Sequence, residues 1–236
     1  MEARDLYHTF YRPTRVALDL WYNRKVEGLE NIPDEPAIYV ANHSRVTDSF
    51  LMAASFTEHT GKAMRLGAKK EYFTGEGVDN KGKLGRTSRW FVERTGQIPV
   101  VRKNGTRDDF NDFHDAVRET LSRGDSVGLH AEGTRTDGDK LYKFKVGAAQ
   151  IAVKESVLLV PVGITFSEEI PLMRDATVTF GEPIDTTSVP TRVRMMGNRA
   201  KVEYVNNLAE ERVAEITGLG RAHVFAEIYD KGKSSS

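Results

Sequence analysis

Short apolar runs that alternate with helical stretches constrain this chain more than any other feature of its sequence. Ala37–Ala41 follows the breakers Pro33 and Pro36 and reads as a buried strand. Met64–Ala68, Gln97–Val101, Ser126–His130, Leu158–Thr165 and Ala176–Phe180 read the same way. Between them, Thr47–Phe56, Val146–Lys154 and residues 198–217 have helical character, as does Asp108–Ser122, with Phe110, Phe113, Val117 and Leu121 on one face. Residues 74–89, rich in Gly and Lys, read as a loop. Strands interleaved with helices predict an α/β fold: one domain around a central, mostly parallel or mixed sheet flanked by helices.

An N-terminal helical segment precedes that domain. Residues 1–26 read as one or two short helices, with Pro13 in a first turn and Val16, Ala17, Leu20 and Trp21 at helical spacing. Arg12, Arg15, Arg24 and Lys25 frame the aromatic residues Tyr7, Phe10, Tyr11, Trp21 and Tyr22. Two compatible readings follow, a helix packed on the body of the domain and a contact with a membrane surface. The boundaries are then 1–30 for this segment, 31–230 for the domain and 231–236 for a tail without fixed structure.

Composition removes several function classes. The chain has no cysteine, which excludes disulfides, thiolate metal sites and a cysteine nucleophile. Thirty-four basic residues balance thirty-four acidic ones, against the basic excess of a nucleic-acid binder. The longest mostly apolar stretch, Val157–Phe166, is about half the roughly 20 residues that span a bilayer. No N-terminal apolar stretch of signal-peptide type is present, so a cytoplasmic protein is expected.

The chemistry concentrates in two segments. Asn42-His43-Ser44-Arg45-Val46-Thr47-Asp48 follows a strand and precedes a helix, where open α/β sheets place ligands. On a continuous helix, residues five apart are turned about 140° from each other. His43 and Asp48 therefore meet only if His43 lies in the turn and Asp48 in the first helical turn. A carboxylate on one ring nitrogen would fix the tautomer and leave the other nitrogen as a base. The second segment, Glu132-Gly133-Thr134-Arg135, follows the strand Ser126–His130 and combines a turn glycine, a hydroxyl and a guanidinium suited to phosphate.

In this order the segments resemble the glycerolipid acyltransferase family typified by 1-acylglycerol-3-phosphate acyltransferase. The resemblance runs over about residues 37–165 through His43–Asp48, Gly96–Arg102, Glu132–Arg135 and Val160-Pro161-Val162-Gly163, with Lys69 and the run Lys145–Ala149 as further matches. It implies acyl transfer from acyl-CoA or an acyl carrier protein to a lysophosphatidic acid, giving phosphatidic acid, with no cofactor. His43 would act as base and Asp48 would orient it. Arg102, Gly133, Thr134, Arg135 and Lys69 would hold the acceptor phosphate, Glu132 would fix the loop and order Arg135, and Pro161 would shape the wall beside the acyl chain. A peripheral position on the inner face of a membrane is expected. The sequence departs from the family at His130-Ala131, where Phe-Pro is frequent, and at Thr136, where Ser is frequent. Two alternatives stay open: the same chemistry on another acceptor, such as a specialised metabolite or an amino-acid lipid, and a lipid-phosphate binding module without turnover. His8, His59, His114 and His223 are expected at the surface or in packing. Arg192, Arg194, Arg199 and Lys201 are expected on a solvated helix face, or as a patch for anionic headgroups or a carrier protein.

Overall fold

Every side chain of the strand Ile38–Ala41 is buried, although the strand is only four residues long. Ile38 and Val40 enter one apolar cluster, while Tyr39 and Ala41 enter a second. A strand buried on both faces must lie between two layers of helices, and its residues must be apolar throughout.

The computed structural model describes residues 3–74, 83–101, 105–167 and 174–226. From the N-terminus run α1 (Ala3–Trp21), β1 (Tyr22–Glu27), β2 (Ile38–Ala41), α2 (Asp48–Thr60), β3 (Met64–Lys69) and α3 (Glu71–Thr74). They are followed by α4 (Lys83–Arg94), β4 (Ile98–Val100), α5 (Arg107–Ser122), β5 (Ser126–His130), β6 (Lys140–Leu141) and α6 (Gly147–Glu155). The last are β7 (Leu159–Ser167), β8 (Arg174–Phe180), α7 (Thr191–Met195), α8 (Asn198–Thr217) and β9 (Gly220–Arg221).

Seven strands form one sheet in the order β1-β8-β7-β2-β5-β3-β4. β2 lies parallel between β5 and β7, with Ala41 opposite His130 on one side and Val162 on the other. β8 runs antiparallel to β7 and parallel to β1, so the sheet is mixed at one edge. Val117 of α5, Ile151 of α6 and Val205, Ala209 and Val213 of α8 cover one face. Leu18 of α1 and Leu51, Met52 and Phe56 of α2 cover the other. The carboxyl ends of β2, β5 and β3 share one edge of this sandwich.

Three local expectations are corrected. Tyr22–Glu27 is a strand rather than the end of a helix, because six rungs of pairing with β8 satisfy its backbone. Pro13 lies inside α1, not in a first turn. An interior proline costs a helix about 3 kcal/mol, which the burial of Leu6, Tyr7 and Leu18 on that helix offsets. Residues 83–89, within the stretch expected as loop, belong to α4, which docks on α1 through edge-to-face contacts of Phe10 with Trp90 and Phe91. Residues 75–82, the tail 231–236 and Arg102 lie outside the described residues.

Candidate active site

At the end of β2 the chain turns sharply, and Asp48 makes the turn. Its Oδ2 accepts hydrogen bonds from the amides of Ser44 and Arg45, each at 2.7 Å. The same oxygen lies 3.1 Å from His43 Nδ1. Asp48 opens α2, so the carboxylate stands where the spacing requires it, in the first helical turn and facing back to the histidine. Because a carboxylate only accepts, Nδ1 carries a proton and Nε2 of the neutral ring is the basic nitrogen. Asp48 is wholly buried, and burial raises its pKa against the opposing pull of the Arg45 and Ser44 amides.

The backbone of His43 is held from three further directions. Asn42 pairs with Ile164 of β7 both ways, donating to its carbonyl at 2.9 Å and accepting from its amide at 2.8 Å. Glu132 Oε1 accepts from the His43 amide at 2.8 Å. The His43 carbonyl accepts from Thr136 twice, from the amide at 2.8 Å and the hydroxyl at 3.1 Å. The segment after β5 is thereby tied to the segment after β2, and Arg135, beside Thr136 in the chain, is carried toward the His43 turn.

Glu132 does not order Arg135. Its second oxygen accepts from the Tyr142 amide at 2.9 Å, so the carboxylate points inward and joins the two loops through their backbones. Burial pushes its pKa up to about 7, with the Tyr142 and His43 amides pulling the other way. Gly133 adopts φ 76°, and an added Cβ there would lie 2.7 Å from Lys145 Cε. The glycine therefore serves both the turn and the close passage of the Lys145 side chain. Thr134 is buried and Arg135 is exposed.

Lys69 ends β3 and is half-buried on the same sheet edge, two strands from β2. Pro161 is not on that edge: it is buried within β7 opposite Val40, and its carbonyl accepts from the Gly181 amide at 2.8 Å. Lys145 was not singled out from the sequence: it appeared there only within a run, and its position over Gly133 depends on the loop fold. His130 drew notice in the sequence as a departure beside the phosphate loop and a candidate substrate contact, and its ring lies stacked on that of His43 with centroids 3.9 Å apart. Of the other histidines, His114 is buried, with Nε2 2.5 Å from Glu155 Oε1.

An acyltransferase family model matches residues 23–165, more than half of the chain and all of the segment built around this turn. Among curated proteins, the chain is similar to the 1-acyl-sn-glycerol-3-phosphate acyltransferase LPAT1, chloroplastic, of Arabidopsis thaliana. The two are 25% identical over 92% of this chain and 56% of that protein. With the 1-acyl-sn-glycerol-3-phosphate acyltransferase BAT2, chloroplastic, of Brassica napus the identity is 27% over 77% of this chain and 51% of that protein. The chain thus spans about half the length of these relatives. Its fold is similar to the crystal structure of the 1-acyl-sn-glycerophosphate (LPA) acyltransferase PlsC from Thermotoga maritima. That match has a TM-score of 0.61 at 22% identity, over 91% of this chain and 80% of the other.

Proposed function

The chain belongs to the acyltransferase family, and from that premise we propose that it moves a fatty acyl group from a thioester to the free hydroxyl of a lysophosphatidic acid. The product is phosphatidic acid, and the donor is acyl-CoA or an acyl carrier protein. The observation that carries the reading is the His43–Asp48 pair, 3.1 Å apart and buried at the carboxyl edge of the sheet. His43 Nε2 takes the hydroxyl proton as the oxygen attacks the thioester carbonyl. The tetrahedral intermediate then expels the thiolate, which recovers the proton from His43. Base catalysis of this kind contributes roughly 10²–10⁴-fold in rate.

Arg135, Lys69 and Arg102 supply the positive charge for the acceptor phosphate, and the relatives' printed names support a phosphate-bearing acceptor. Lys145, whose side chain passes over Gly133, adds a cation beside that loop. Glu132 and Gly133 shape the loop that presents them.

The reaction takes place at the cytoplasmic face of a membrane, where the acceptor is dissolved. No helix among the described residues is long and apolar enough to cross a membrane. Leu20 and Trp21 of α1 are 79% and 68% exposed, and Val46, inside the catalytic turn, is 61% exposed. The Tyr22 and Thr47 hydroxyls, 2.9 Å apart, join the end of α1 to that turn. Apolar side chains beside the site favour docking on lipid.

Thiol release from acyl-CoA, followed colorimetrically with and without lysophosphatidic acid, tests the reading. A chain without cysteine adds no background to that assay. We expect acceptor-dependent release that His43→Ala abolishes. Undiminished release by the variant would sink the mechanism, and release without acceptor would identify thioester hydrolysis instead.

A further inference from the structure

We propose that His130 is a positioning residue for the base, an imidazole plate that holds the His43 ring in one plane. The inference rests on the reading of His43 as the base. The two rings lie nearly parallel, 11° apart in orientation with centroids separated by 3.9 Å. His130 is the last residue of β5 and pairs in register with Ala41, two residues before His43. Neighbouring strands thus deliver both rings to the same edge of the sheet.

Both nitrogens of His130 are engaged away from the reaction. Nδ1 lies 2.7 Å from the Asn42 carbonyl, which only accepts, so this nitrogen carries the proton. Nε2 lies 2.7 Å from the Ser49 hydroxyl, which can donate or accept. Both ring nitrogens therefore have partners, and what His130 offers His43 is its flat face. Its anchor, the Asn42 carbonyl, belongs to the residue before His43, so plate and base move as one unit.

His43 needs such a support. Its ring is fixed at one edge by Asp48, and a torsion about the bond to an sp² ring is broad by nature. Contact across the ring face removes the rocking that an edge bond permits, which keeps Nε2 aimed at one place. A polar side chain of similar reach could fill the space but would not hold the ring in its plane.

Three variants of the full chain separate the plate from its alternatives. H130F keeps a flat ring without nitrogens, H130Q keeps polarity without a ring, and H130A keeps neither. In the thiol-release assay with acyl-CoA and lysophosphatidic acid, kcat of H130A and H130Q should fall about tenfold, with both KM values within about twofold of wild type. H130F should recover most of kcat. NMR of the same proteins supplies a readout independent of turnover. The ring-current shifts of the His43 carbon-bound protons should survive in H130F and vanish in H130A.

Wild-type kcat in H130A would overturn the proposal, as would an H130F variant no better than H130A. A raised KM for the acceptor with kcat retained would make His130 a substrate contact instead. Should the wild type transfer no acyl group, the functional reading fails. The NMR comparison then still decides the plate, because unchanged His43 shifts in H130A would refute it.

Discussion

At the scale of single residues, the site rests on side chains that fix backbone rather than on exposed charge. The pairing of His43 with Asp48 is legible in the sequence, because five-residue spacing across a strand–helix junction admits one close arrangement. The work of Glu132 is not legible, since its partners His43 and Tyr142 lie 89 and 10 positions away in the chain. Its buried carboxyl carries a pH signature. The folded chain holds that proton up to about pH 7, against an ordinary value of 4.5, so folding favours the protonated form. Stability from this group is therefore greatest below its ordinary value and is lost as pH rises through about 7. Urea unfolding of wild type and Glu132→Gln across that window checks it, with the difference in stability shifting against the wild type as pH rises. A difference that stays constant with pH would show that Glu132 does not titrate there.

At the scale of elements, α1 was readable as a helix packed on the domain, but not in its extent. Its inner face buries Leu6, Tyr7 and Leu18 against the body of the domain, and its last turn leaves Leu20 and Trp21 in solvent. The chain then enters β1 directly, so deletion of residues 1–26 would remove most of an edge strand and blur any test of lipid binding. A cleaner test exchanges only the exposed pair. Leu20→Glu with Trp21→Glu should reduce co-sedimentation with anionic vesicles several-fold while circular dichroism stays unchanged, because neither side chain packs inside. Undiminished co-sedimentation would remove α1 from the lipid contact. The helix α4 escaped sequence reading for a related reason. Its residues Trp90 and Phe91 meet Phe10 of α1, a partner they acquire only when distant parts of the chain come together.

At the scale of the whole molecule, one sheet is shared by two helical layers, and the layers should stand or fall together. Leu51 on one side and Ile151 on the other are both fully buried. Replacing either with alanine should cost about 2–5 kcal/mol and shift a single cooperative urea transition to lower midpoint. Two separated transitions in either variant would show that the layers unfold independently. The sequence by itself determined the α/β class, six of the seven strands of the main sheet and most of the helices, because apolar runs and amphipathic periods are local properties that burial selects. It also determined the His43–Asp48 pair and the loop Glu132–Arg135, because turn chemistry and short spacing are local as well. Only the tertiary structure decided that β5 lies beside β2, that Thr136 and Glu132 clamp His43, and that His130 lies flat against it. Strand order and register are set by the packing of the entire sheet, and no stretch of sequence near His43 contains Glu132, Thr136 or His130.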